Sequence, residues 1–182
     1  MIYYSVPYST EKNIGKYYND FMRTLPKDDD FACFVDGDTI FTTPFYGHTI
    51  ENVIKENSDV LCYTCFTNRV ACPEQIAPGI DTDSNDMHYH RNFGQMMESI
   101  YGTSCMDITK MKSGQLISGC LILIQKNLWR RIGGFAEKGM LGVDNDLHHK
   151  VLKAGEKIYL MQGVYIYHWY RWPNYKDKKH LL

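Results

Sequence analysis

The sequence predicts an α/β protein, a three-layer sandwich around a mostly parallel sheet. Three observations predict it. The runs "FACFV", "DVLCYTCF" and "LISGCLILI" are apolar almost throughout and short, as strands buried on both faces are. Between such runs lie segments whose apolar residues keep one-face helical spacing. Clusters of Gly, Pro and Asp punctuate the joins. With 182 residues, 44% of them hydrophobic, the chain has enough material for one core and hardly two. A single domain is expected over residues 1–170, followed by a basic tail, 171–182.

In chain order, "IYYSVPY" reads as a buried strand ended by Pro7. Ser9 is positioned to cap a helix whose apolar face holds Ile14, Tyr17, Tyr18, Phe21, Met22 and Leu25. Pro26 and the acidic run Asp28 to Asp30 stop that helix. "FACFV" is the next strand, and Ile50, Val53 and Ile54 mark a second helix before the strand "DVLCYTCF". Residues 72–86, with Pro73, Pro78, Gly79 and three aspartates, read as a loop. A polar helix follows from about Asp86 to Tyr101, and then the strand "LISGCLILI". "QKNLWRRIGGF" is a short helix closed by Gly133 and Gly134. "VDNDLHHKVLKAG" is a helix with acidic residues in its first turn and Gly155 after its last. "KIYLM" and "VYIYHW" are two short final strands.

Composition narrows the function. A net charge of -1 offers no basic surplus for nucleic acid. The longest apolar run is too short to cross a bilayer, and "MIYYSVPYSTEK" lacks the basic start of a secretory signal. A cytoplasmic protein is expected, with peripheral membrane contact through the tail as the rarer alternative. Of the six cysteines, Cys33 and Cys120 lie in apolar runs and suit reduced core thiols. Cys62, Cys65 and Cys72 resemble a metal trio, but no fourth ligand follows at zinc-site spacing, and packing is the preferred reading.

The chemistry concentrates in "FACFVDGDTIF". Asp36, Gly37 and Asp38 follow a buried strand, and in open α/β sheets ligands sit beyond the carboxyl ends of strands. Residues two apart on an extended chain point the same way, and glycine permits a tight turn. Two like charges held together become favourable beside a cation. Carboxylates select Mg²⁺ or Mn²⁺, which also take phosphate oxygens. A solvated turn is the plain alternative.

"FVDGDTIF" after a strand resembles the DxD motif of GT-A-fold glycosyltransferases, and residues 116–155 resemble the second half of family-2-type members in their order of strand, short helix, Gly-Gly-Phe, acidic helix start and Gly-ended helix. The resemblance implies a GT-A-like (Rossmann-like) fold with a reduced N-terminal half, since only one helix separates the first strand from the DxD strand. It implies a divalent ion, Mn²⁺ or Mg²⁺, on the diphosphate of a nucleotide-sugar donor, UDP- or GDP-linked. Asp38 would ligate directly, Asp36 would face the ribose or the ion's water shell, and His168 would be the third metal ligand. Asp144 would be the catalytic base, with Val143 where the family carries glutamate and Asp146 at a second acidic position. Pro7, Tyr8, Ser9 and Asn19 would border the nucleotide, with Gly37 and Gly119 lining the donor site and Arg171 on the diphosphate. Trp169 and Trp172 would stack on a sugar or cover core. The implied activity is transfer of a hexosyl or N-acetylhexosaminyl group to a hydroxyl of a glycan or lipid-linked acceptor, with inversion, in surface polysaccharide biosynthesis. The alternative is a non-catalytic nucleotide-sugar or glycan-binding module that kept the fold. A sugar-nucleotide pyrophosphorylase would need a Gly-rich basic loop after the first strand, for which "SVPYSTEKNIGK" is a poor candidate.

Overall fold

A computed structural model describes residues 1–170; the expected tail 171–182, with Arg171 and Trp172, lies outside the described residues. The elements run β1 (Ile2–Ser5), α1 (Ile14–Thr24), β2 (Phe31–Val35), β3 (Thr39–Phe41), α2 (Tyr46–Glu56), β4 (Cys62–Thr67), a 3₁₀ turn (Pro73–Gln75), α3 (Met87–Tyr101), β5 (Cys105–Asp107), β6 (Leu121–Gln125), α4 (Lys126–Arg131), α5 (Val143–Lys153) and β7 (Tyr159–His168).

The strands form one open sheet ordered β1-β2-β6-β4-β7-β3, with β5 also paired to β7. The sheet is mixed rather than mostly parallel in its pairings. β1 pairs with β2 and β4 with β7 in parallel, whereas β6 runs against both β2 and β4, and β3 and β5 run against β7. β1, β2, β4 and β7 therefore point the same way and deliver their carboxyl ends to one rim. β6 begins at that rim.

Helices cover both faces, as a three-layer arrangement requires. Ala32 and Phe34 of β2 face the helices α1, α3, α4 and α5 through Tyr18, Met22, Met97, Leu128, Leu147 and Val151. Phe31, Cys33 and Val35 face α2 through Ile50 and Val53. This alternation explains why β2 is apolar throughout and why β2 and β4, the latter carrying Thr64 and Thr67, are buried along their whole length. Cys62 and Cys65 of β4 belong to opposite faces, so the cysteine trio does not form, and all six thiols are free. Among the described residues no helix is long and apolar enough to cross a membrane.

Several local expectations shift. Asn13, not Ser9, caps α1, its side chain accepting from the Lys16 N–H at 3.1 Å. Ser9 acts one step upstream, where its hydroxyl accepts the Asn13 N–H at 2.9 Å. The run read as a strand from residue 116 starts only at Leu121. The two final strands are one ten-residue strand, β7, whose register against β4 jumps between Cys65 and Phe66, leaving Gln162, Gly163 and Val164 unmatched on β4. Gly163 is required there, because a Cβ would lie 2.0 Å from the Gly102 carbonyl oxygen at the end of α3.

Candidate metal centre

The centre is assembled by a strand only three residues long. β3 leaves the Asp36–Asp38 turn and pairs antiparallel with the end of β7, setting Thr39 opposite His168. The turn is fixed from three sides. Asp36 donates its N–H to the Cys120 carbonyl at 3.1 Å, Thr39 returns its N–H and hydroxyl to the Asp36 carbonyl at 3.1 and 2.7 Å, and the Trp169 N–H donates to the Asp38 carbonyl at 2.9 Å. The Val6 side chain packs beside Gly37, 3.5 Å from where a Cβ would stand.

One ligand atom each from Asp36, Asp38 and His168 lies within 4.8 Å of the others, with the aspartates half-buried and the histidine buried. His168 Nε2 is 3.3 Å from Asp38 Oδ1. His168 Nδ1 is 2.8 Å from the Arg69 carbonyl, which can only accept, so Nδ1 carries a proton and Nε2 is the ring nitrogen turned towards the carboxylates, the one that would ligate an ion. Asn68 completes the support by accepting the His168 backbone N–H on Oδ1 at 2.7 Å. Two carboxylates and one imidazole nitrogen are a fitting donor set for a divalent ion that takes both oxygen and nitrogen, such as Mn²⁺; Mg²⁺ favours oxygen alone.

Asp144 opens α5 on the other side of the turn. Its Oδ2 accepts the Gly119 N–H at 2.9 Å and its Oδ1 the Asn145 N–H at 2.9 Å. Burial raises its proton affinity above the ordinary carboxylate value and outweighs those two bonds, which act to lower it. Asp36 and Asp144 are anchored on adjacent residues, Asp36 through its N–H on the Cys120 carbonyl and Asp144 through the Gly119 N–H. The Tyr18 hydroxyl and the Cys120 thiol are both pushed up, first by burial and then by the negative charge of Asp36 and of Asp144. Gln75 latches Ser118, the residue before Gly119. Its Oε1 accepts from the Ser118 N–H at 2.7 Å, and its Nε2 donates to the Ser118 carbonyl at 3.1 Å and the Thr64 hydroxyl at 2.8 Å.

The remaining expected residues divide. Gly119 contacts Asp144 directly, a Cβ there standing 3.4 Å from the Asp144 Cβ. Pro7, Tyr8 and Ser9 follow Val6 along the rim, and Tyr8 is 76% exposed. Asn19 has a different task from the nucleotide contact expected of it. Its Nδ2 donates to the Phe135 carbonyl and Glu137 Oε1 at 3.0 and 2.8 Å, and its Oδ1 accepts from Trp129 Nε1 and the Phe135 N–H at 2.9 and 2.8 Å. That saturates a carboxamide and pins the Gly-Gly-Phe loop to α1. Asp146 pairs with Lys150 at 2.8 Å, an ion pair one turn along α5. Arg171 falls outside the described residues. Sequence reasoning missed Tyr18, Asn68, Arg69 and Gln75. For Asn68 and Arg69 a signal existed: two polar residues directly after a buried strand, at the rim where ligands gather.

No protein-family model matches the chain, and a search of curated proteins finds no significant match.

Proposed function

We propose that the protein is a metal-dependent glycosyltransferase that moves a sugar from a nucleotide diphosphate to a hydroxyl of a glycan or lipid-linked acceptor, in the setting of surface polysaccharide biosynthesis. The observation that carries this reading is the convergence of Asp36, Asp38 and His168 within 4.8 Å at the rim of the sheet, with Asp144 held on the Gly119 N–H, next to the Cys120 carbonyl that takes the Asp36 N–H. Asp36, Asp38 and His168 would hold the ion, Mn²⁺ before Mg²⁺. When bound, the ion supplies Lewis-acid neutralisation of the leaving diphosphate. Asp144 takes the proton from the acceptor hydroxyl as that oxygen bonds to the anomeric carbon and the bond to the diphosphate breaks. Its raised proton affinity suits a base, and its two oxygens keep lone pairs beyond the backbone N–H groups they already accept. One displacement inverts the anomeric centre.

The test is release of nucleotide diphosphate, and transfer to a sugar alcohol, from a panel of UDP- and GDP-sugars with Mn²⁺. Asp38→Ala is expected to abolish metal-dependent turnover. Asp144→Asn is expected to lower it by about 10²–10⁴-fold while leaving Mn²⁺-dependent nucleotide binding in place. Full activity in both variants would refute the assignment. A second reading, a binding module without turnover, draws on the two backbone hydrogen bonds that Asp144 already accepts. It predicts Mn²⁺-dependent nucleotide binding with neither hydrolysis nor transfer in the wild type.

A further inference from the structure

Three buried donors on the two residues that follow β4 meet no acceptor among the described residues. Asn68 is fully buried and Arg69 is 6% exposed. Asn68 Nδ2 and Arg69 Nε and Nη1 have no hydrogen-bond partner among the described residues. The rest of each side chain is committed. Asn68 Oδ1 accepts the His168 N–H at 2.7 Å, with the Thr67 hydroxyl at 3.3 Å. Arg69 Nη2 donates to Asn85 Oδ1 at 2.5 Å, the Tyr167 hydroxyl at 3.2 Å and the Ser84 carbonyl at 3.5 Å, and the guanidinium lies 5.7 Å from the centre of the Tyr167 ring.

Those hydrogen-bond partners of the guanidinium are all neutral, although buried positive charge is stable only when opposed by negative charge or saturated with acceptors. A trapped water would satisfy an amide N–H but would leave the charge unopposed. The orphaned atoms of Asn68 and Arg69 are all donors, which is the complement of an oxyanion and not of a cation. Their position is specific too, because the Arg69 carbonyl is the group that holds His168 Nδ1.

We propose that Asn68 and Arg69 form an oxyanion subsite that takes a phosphoryl oxygen of the ligand held at the Asp36–Asp38–His168 cluster. The subsite deepens the glycosyltransferase reading and rests on it. The loop carrying Ser84 and Asn85 holds the guanidinium through Nη2, which leaves Nε and Nη1 as the donors for the charged oxygen and makes Asn85 a support of the side chain rather than of the ligand. Arginine is the suitable residue, since its planar fork binds a phosphoryl group through two hydrogen bonds at once. The phosphoryl oxygen has two possible sources, the donor's diphosphate or a phosphorylated acceptor.

The test is isothermal titration of the full chain with inorganic pyrophosphate, with and without Mn²⁺, alongside Mn²⁺ binding alone followed by electron paramagnetic resonance. Arg69→Gln is expected to weaken pyrophosphate binding about tenfold or more while leaving Mn²⁺ affinity unchanged. Arg69→Lys, which keeps the charge and loses the fork, should fall between, and it serves as the variant to read if Arg69→Gln does not fold. Asn85→Ala is expected to weaken pyrophosphate binding less than Arg69→Gln does. Parallel titrations with UDP, GDP and glycerol 3-phosphate assign the oxygen: Arg69-dependence confined to the nucleotides marks the donor, and to glycerol 3-phosphate the acceptor. Pyrophosphate binding that needs Arg69 but not Mn²⁺ supports the subsite and counts against the metal reading alone. The proposal is overturned if the wild type binds no pyrophosphate, if the Arg69 variants bind it as well as the wild type, or if Asn85→Ala loses as much as Arg69→Gln, which would make Arg69 a clamp for its loop.

Discussion

His148 lies on α5 one turn beyond Asp144, and its two ring nitrogens do opposite work. Nε2 faces the Thr109 carbonyl at 3.0 Å and must donate, while Nδ1 accepts the Ile117 N–H at 3.1 Å and must stay unprotonated. Burial lowers its proton affinity below the ordinary value of 6.5, although the Thr109 bond acts the other way. The unfolded chain therefore takes up the proton first. The stability that His148 contributes is complete above about pH 6.5 and is lost as pH falls through the depressed folded value. Urea midpoints are expected to drop between pH 7.5 and 5, and to drop less in His148→Gln; an equal drop in the variant would exonerate this ring. At this scale the sequence was informative where chemistry is local. Asp36, Gly37 and Asp38 are adjacent to a recognisable strand end, and His168 ends another. Asn68 and Arg69 offered only their place after a buried strand, because their significance lies in unmet hydrogen bonds, which exist only once Tyr167, Asn85 and His168 have been brought around them. Asn19 misled for the same reason, since its four partners come from residues 129 to 137.

The helices and central strands were legible because each carries its own periodicity. β3 and β5 were not, being three residues each and stabilised wholly by pairing with β7. The Asn13 cap shows a finer limit: Ser9 and Asn13 are both good capping types, and only the backbone path decides which of them meets the first helical N–H. Gly163 carries the clearest prediction for an element. The Cβ of Gly163→Ala would meet the Gly102 carbonyl carbon and nitrogen at 2.8 and 3.0 Å as well as its oxygen, all of them backbone atoms that cannot rotate away. The substitution is expected to cost about 2 kcal/mol or more by separating the end of α3 from the middle of β7. Denaturant unfolding of the variant measures it, and a loss under 0.5 kcal/mol, the scale of an ordinary surface change, would show that α3 can back away freely.

For the whole molecule, the residues proposed as metal ligands come from the turn after β2 and from the last residue of β7, so the cluster exists only when the sheet has closed. An ion that binds the folded chain and not the unfolded one stabilises it by about 2.7 kcal/mol at a hundredfold excess over its dissociation constant. At roughly 2–4 °C per kcal/mol for a chain of this size, Mn²⁺ is expected to raise Tm by about 5–10 °C, and excess chelator should reverse the rise. Mg²⁺ should do less at equal concentration, and Asp38→Ala should abolish the response to both. The three layers followed from the alternation of elements, whereas the insertion of β6 against its neighbours had no trace in the sequence, because strand order is a property of distant pairings. That order has a consequence for behaviour at high concentration. β7 is the longest strand, and ten residues of bare backbone would invite a foreign chain to add itself. β5 guards one end of its outer flank and β3 the other, while between them the Gln162 N–H is taken by the Ser104 carbonyl at 2.9 Å and the Tyr165 carbonyl by the Thr42 hydroxyl at 2.7 Å. The same short strand that gathers Asp36, Asp38 and His168 thus helps to deny aggregation its template.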